Sequence, residues 1–324
     1  MQASQALSLA PVVSSKTGMA AMMPSISLQE WRAAGRAFEY RGAQIFYRTG
    51  GAWDDPSVPV LVLIHGFPTA SWDWAHQWEA LCERFRVCAL DMIGFGFSDK
   101  PRSHAYSIQD QADLHEAWLA ELGVNQAHIL AHDYGDTVAQ ELLARMIDRA
   151  AAGQDGLVWQ SICFLNGGLF PEQHRATLTQ RLLNSPLGPL LSRAMTKARF
   201  AKGLSEVFGP HTQPGPDLID AFWTLATENG GMPAIGHKLL GYIGERKATR
   251  ERWVGALQNS PVPLRVIDGA LDPVSGAHMV AHYKQLIPNP DAVILPHVGH
   301  YPQVEAPQEV LDGFLDFQSA IAAS

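Results

Sequence analysis

The chain has 324 residues, of which 47% are hydrophobic and only 17% charged, and its net charge is −8. That length buries a substantial core, enough for one large domain with an insertion. An acidic balance with no basic block and no Lys/Arg-striped helix excludes nucleic acid as a partner.

Residues 1–28 are rich in Ala, Ser and Met and are expected to form a flexible N-terminal extension. They lack a charged segment followed by a clean hydrophobic stretch, so a signal peptide fits them poorly. No apolar run reaches the ~20 residues that a membrane-spanning helix needs. Cys82, Cys88 and Cys163 follow neither disulfide nor zinc spacing. They read as small apolar residues in a reducing compartment, which points to a cytoplasmic protein.

From there short β-like runs alternate with helical patterns. Phe38 to Arg48, with Gly42 at its turn, predicts a hairpin. Val58 to Ile64 (VPVLVLI) is nearly all apolar, as a parallel strand buried on both faces must be. Arg86 to Leu90 predicts a strand, Ile108 to Leu122 a helix, Gln126 to Ala131 a strand, Thr137 to Ile147 a helix and Val158 to Leu165 a strand. Pro263 to Ile267 and Ala292 to Leu295 predict the last two strands. This alternation predicts an α/β class with a mostly parallel sheet and helices on both faces. Residues 169–257 break the rhythm, with helical stretches punctuated by Pro186, Pro189, Pro210, Pro214, Pro216 and Pro233. They predict a helical lid inserted into a core made of residues 29–168 and 258–324.

The chemistry concentrates in four turns, each directly after a strand. Ala131-His132-Asp133-Tyr134-Gly135 has the small-x-nucleophile-x-small spacing of a nucleophile elbow, where a tight strand-to-helix turn admits only small neighbours. Asp tolerates the positive φ of such a turn. Asp is equally a favoured N-cap, so the pattern also fits a plain helix start, and Asp136 reads as a first-turn charge. His65-Gly66-Phe67-Pro68 can aim the Phe67 amide at the elbow, forming an oxyanion hole with the Tyr134 amide, and reads otherwise as a Gly-Pro turn. Asp272-Pro273 offers a triad acid or a common Asp-Pro turn. Gly299-His300 offers the base. The order Asp133, Asp272, His300 is nucleophile, acid, base. A metal site at His132, Asp133, His297 and His300 is the rival reading, weakened by the lack of a helical HExxH pattern.

These motifs, with Asp91-Met92-Ile93-Gly94-Phe95-Gly96-Phe97-Ser98, resemble the α/β-hydrolase family of epoxide hydrolases and haloalkane dehalogenases. The resemblance covers the chain from about Ala37 onward. It implies an eight-stranded-type α/β-hydrolase fold and an Asp133–His300–Asp272 triad working through a covalent alkyl-enzyme ester. It implies no metal or organic cofactor, and as partners only a small apolar organic substrate and water. The favoured activity is epoxide hydrolysis. Haloalkane dehalogenation is the alternative, weakened because Tyr134 and Phe67 stand where that group expects Trp and Asn. A binding protein that has lost turnover is a further alternative. Substrate-binding positions are expected at His65, Tyr242, Trp253 and Phe170, with Tyr242 as proton donor. Phe222 and Trp223 extend the expected apolar wall. Trp72, Trp74 and Trp78 are expected mainly in the core.

Overall fold

The computed structural model describes residues 21–323. Eight strands form one sheet: β1 (Arg36–Tyr40), β2 (Ala43–Gly50), β3 (Val60–Ile64), β4 (Arg86–Leu90), β5 (Gln126–His132), β6 (Val158–Leu165), β7 (Leu264–Gly269) and β8 (Asp291–Leu295). Their order is β1-β2-β4-β3-β5-β6-β7-β8. The first hairpin is antiparallel, β2 joins β4 antiparallel, and every later pairing is parallel. Arg41 and Gly42 turn the hairpin at φ 50° and 81°, the double positive φ of a type I′ turn, whose twist matches that of the strands it joins. Central β3 is buried along its whole length, because helices cover both faces of a parallel sheet.

Before the insertion come α1 (Leu28–Ala33), α2 (Trp78–Cys82), α3 (Ile108–Glu121) and α4 (Tyr134–Ala151). Seven further helices lie between β6 and β7: α5 (Leu178–Leu183), α6 (Gly188–Arg193), α7 (Lys197–Ser205), α8 (Pro216–Thr227), α9 (Gly231–Leu239), α10 (Tyr242–Ala248) and α11 (Arg250–Gln258). The predicted prolines start or interrupt them: Pro189 and Pro216 stand in first turns, where a missing N–H costs nothing. The core resumes with α12 (Ala277–Leu286), α13 (Pro302–Glu305) and α14 (Pro307–Ala322).

Of the expected extension, residues 1–20 lie outside the described residues. Residues 21–28 depart from the expectation because they are anchored. Ala21 donates to the Gln213 carbonyl at 3.0 Å, the Trp72 indole donates to the Ile26 carbonyl at 3.1 Å, and Ser27 caps α1 in a reciprocal capping box with Glu30. Among the described residues no helix is long and apolar enough to cross a membrane. The three cysteines are free thiols.

Candidate active site

β5 ends at His132 and α4 begins at Tyr134, so Asp133 alone makes the turn, at φ 48° and ψ −104°. This is strained backbone of the kind that functional sites store. The turn closes because Gly135, two positions on, and Gly66, from the facing loop, have no side chain. A Cβ on Gly135 would stand 2.7 Å from the carbonyl oxygens of both His65 and Ile64, and one on Gly66 would stand 2.5 Å from the His132 ring. The helix-cap alternative does not hold, since the Asp133 side chain makes no capping bond to α4. Its Oδ2 instead accepts the Phe67 amide at 3.1 Å. The Tyr134 amide is the first of α4, where N–H groups have no intrahelical acceptor.

The other two turns converge on the same point. The His300 Nδ1 lies 2.8 Å from Asp272 Oδ2, and its Nε2 lies 3.9 Å from Asp133 Oδ2. The first is a hydrogen bond; the second is beyond hydrogen-bond reach, so the face of the imidazole toward Asp133 remains free to engage another molecule. Asp272 also accepts from the Val274 amide, the Ser275 amide and hydroxyl, and the Asn166 amide group. Asn166, at the end of β6, further bonds both the N–H and the carbonyl of Gly269, so two adjacent strand ends hold the acid.

Charge sets the protonation states. Burial alone would raise the Asp133 carboxyl, but His300 and then Arg246 outweigh it and hold it well below the usual carboxylate range. Burial would lower His300, but Asp272 and Asp133 together push it well above 6.5. Burial, then Asp133, raises the Asp136 carboxyl well above its ordinary value. Asp136 is fully buried, so it is a protonation-prone interior group and not the solvated first-turn charge expected.

Two groups escaped sequence reasoning. Arg246 of α10 is 2% exposed. Its Nε donates to the Thr137 hydroxyl at 2.7 Å and its Nη2 to the Asp133 carbonyl oxygen at 3.1 Å, with Asp133 Oδ1 3.9 Å away. Gly168 makes room for it, as a Cβ there would lie 2.2 Å from the guanidinium. Glu305 of α13 accepts the amides of Gly209, Gly299 and Tyr301 and the Thr212 hydroxyl, tying the His300 loop to the insertion. The Asn166-Gly167-Gly168 run was the available signal for the first; a Glu five residues after a candidate base gives no such signal.

A cavity reaches Asp133 and His300 from the insertion, with Phe67, Leu183, Phe200, Leu204, Met232 and Tyr301 in its largely apolar wall. The four substrate positions expected from the sequence are not in that wall. His65 accepts the Met92 amide at Nε2 and faces the Gly66 carbonyl through Nδ1. Burial lowers its pKa to about 3, so it is a neutral brace for the Phe67 turn. Tyr242 packs behind, against the Tyr134 ring and under Arg246. Trp253 donates to Glu141 of α4 at 2.7 Å, and Phe170 packs edge-on against His282. Phe222 packs against Trp72 and Tyr301, and Trp223 against Phe200. Aromatic rings here fill joints between helices, where their area is worth most. Among the described residues no group of three or more His, Cys, Asp or Glu side chains is arranged to hold a metal.

The described geometry is that of an α/β hydrolase, and the chain belongs to the alpha/beta hydrolase fold family, whose model matches residues 59–307. It is 44% identical over 301 residues to the mesoderm-specific transcript homolog protein of Bos taurus, covering 90% of this chain and 88% of that one. It is 27% identical to epoxide hydrolase A of Mycobacterium tuberculosis, covering 82% and 92%. The haloalkane dehalogenase DbeA from Bradyrhizobium elkani has the same fold, with a TM-score of 0.73 at 21% identity, covering 90% and 99%.

Proposed function

We propose that the chain is an epoxide hydrolase acting on a small apolar substrate through an ester on Asp133. The observation that carries this reading is the single line of contacts Asp272–His300–Asp133, with a backbone amide on the carboxylate. A carboxylate already ionised needs no base to attack an sp3 carbon. Attack breaks the ring C–O bond and leaves an alkyl ester. His300, oriented by Asp272, then takes a proton from water, and the hydroxide attacks the carbonyl carbon of the ester. The Phe67 and Tyr134 amides stabilise the tetrahedral oxyanion, each worth about 3 kcal/mol. The ring oxygen needs a proton. Tyr301 is the phenol of the cavity wall, burial keeps it protonated, and its O–H is donated to the Phe67 carbonyl at 3.1 Å, so in this reading it turns from that carbonyl to the ring oxygen and takes the role expected of Tyr242. The insertion acts as the lid over this chemistry, excluding water from the alkylation step.

Halide displacement is the weaker reading. Tyr134 and Phe67 occupy the positions of the halide-binding donors, and among the described residues no tryptophan lines the cavity. The test is His300→Gln incubated with a panel of epoxides and bromoalkanes, read by intact mass. An epoxide should leave an adduct of its own full mass, absent in Asp133→Asn. A bromoalkane should leave none. Turnover surviving Asp133→Asn would sink the proposal.

A further inference from the structure

Residues 173–205 carry Arg175, Arg181, Arg193, Lys197, Arg199 and Lys202 and not one acidic residue, in a chain whose net charge is −8. Lys197 pairs with Asp220 and Lys202 approaches Glu206 at 4.0 Å. Among the described residues the four arginines of this stretch enter no ion pair, so their charge faces solvent. The same stretch exposes Leu178, Leu182, Leu187 and Leu190, at 65%, 47%, 64% and 65%. These are four of the nine large apolar side chains exposed among the described residues, gathered within thirteen consecutive positions. Scattered exposed leucines are ordinary, but a rimmed cluster marks an interaction surface.

The local structure explains the cluster. Leu178 and Leu182 stand one turn apart on α5 and so share a face, while Leu183 of the same helix turns inward to the cavity. In α6 the inward positions are Gly188 and Ser192, both buried, and the Ser192 hydroxyl accepts the His237 amide of α9 at 3.0 Å. Leu187 and Leu190 are left pointing outward. Thr179 and Arg199 are exposed and also line the cavity that reaches Asp133, so the cavity opens at this face.

We infer that the α5–α7 face docks peripherally on an anionic lipid bilayer, with the leucines at the headgroup–acyl boundary and the cations on the lipid phosphates. A surface of mixed leucines and unpaired cations is what binds such a boundary. A second copy meeting this face across a two-fold axis would set cations against cations, so charge favours lipid over self-association. Docking presents the cavity mouth to apolar molecules dissolved in the membrane. The inference rests on the surface alone and holds whatever chemistry Asp133 performs.

The test is co-sedimentation of the full chain with vesicles of phosphatidylcholine alone and of phosphatidylcholine mixed with phosphatidylglycerol. Binding to the mixed vesicles, weakened by added salt, is expected. Arg181→Gln with Arg193→Gln should weaken it roughly thirtyfold, and Leu178→Ser with Leu190→Ser about a hundredfold. Both double variants change exposed side chains, so their circular dichroism and melting temperatures should match the parent. No vesicle binding, equal binding to both compositions, or unaltered binding by the variants overturns the inference. So does a concentration-dependent dimer dispersed by the leucine substitutions.

Discussion

Arg246 and Asp133 are 113 residues apart in sequence, yet the guanidinium of one donates to the main-chain carbonyl of the other at 3.1 Å. The bond joins α10 of the insertion to the strained turn itself. It gives the carboxylate a buried counter-charge on the side away from His300, and the turn a tether that a salt bridge between side chains alone would not provide.

Arg246→Met should therefore do two things at once. Losing the cation raises the Asp133 pKa toward the ordinary carboxylate range, and losing the bond loosens the turn. The expected result is an alkylation rate about tenfold lower, ~1.4 kcal/mol, with its acid limb moved upward. Arg246→Lys should rescue little, because one ammonium cannot reproduce the geometry of the guanidinium fork. Rapid-quench measurement of adduct formation in the His300→Gln background checks this. An unchanged rate and pH profile would show Arg246 to be structural only.

The two chemical steps should differ in their response to acid. Asp133 is held ionised well below the usual carboxylate range, so alkylation continues in mildly acidic solution. His300 is raised above 6.5 and acts as a base only when neutral, so ester hydrolysis falls as pH drops through its folded pKa. Alkylation removes the Asp133 charge and lowers that pKa in the ester, though Asp272 still supports the imidazolium. The alkyl-enzyme should accumulate as pH falls and disappear as pH rises, as seen by mass spectrometry of acid-quenched samples. For stability the sign is the reverse: His300 contributes most below pH ~6.5, and that contribution is lost as pH rises through the raised folded value.

Glu305→Ala removes the acceptor of three buried amides that join the His300 loop to the Phe208–Gly209 turn. Each orphaned amide costs about 1–3 kcal/mol unless water reaches it. We expect a melting temperature several degrees lower, together with a kcat loss larger than the KM change, because the imidazole loses its fixed position. Glu305→Gln should restore part of both, since its carbonyl still accepts. Thermal melts and steady-state kinetics of the pair of variants provide the check.

Gly135→Ala places a methyl 2.7 Å from two backbone carbonyl oxygens of the β3 end, neither of which can turn aside. The elbow must open, at a cost of about 1–3 kcal/mol, and Asp133 shifts off the Phe67 amide. Activity should fall by more than tenfold while the circular dichroism spectrum is retained. Gly255→Ala in α11, where a Cβ meets nothing within 4 Å, serves as the matched control in folding.

What the sequence determined by itself is the set of features written within a few residues of one another. Val60–Ile64 and Arg86–Leu90 are legible as strands because burial on both faces demands unbroken apolar runs. Asp133 is legible because a tight turn restricts the residues two positions to either side of it, Ala131 and Gly135, to small ones. The acid and base loops are legible because each follows a strand. The N-terminal start of α4 at Tyr134, before the predicted Thr137, follows from the elbow leaving no residue between turn and helix. The tertiary structure alone decided which side chains of the insertion reach the cavity. Periodicity tells that a helix has an inward face but not what that face meets, so Tyr242, Trp253 and Phe170 pack between elements while Phe200, Leu204 and Met232 form the wall. Arg246 and Glu305 belong to the same class. Each acts on groups brought close only when distant segments pack, and the desolvation and charge that define their roles do not exist until they do.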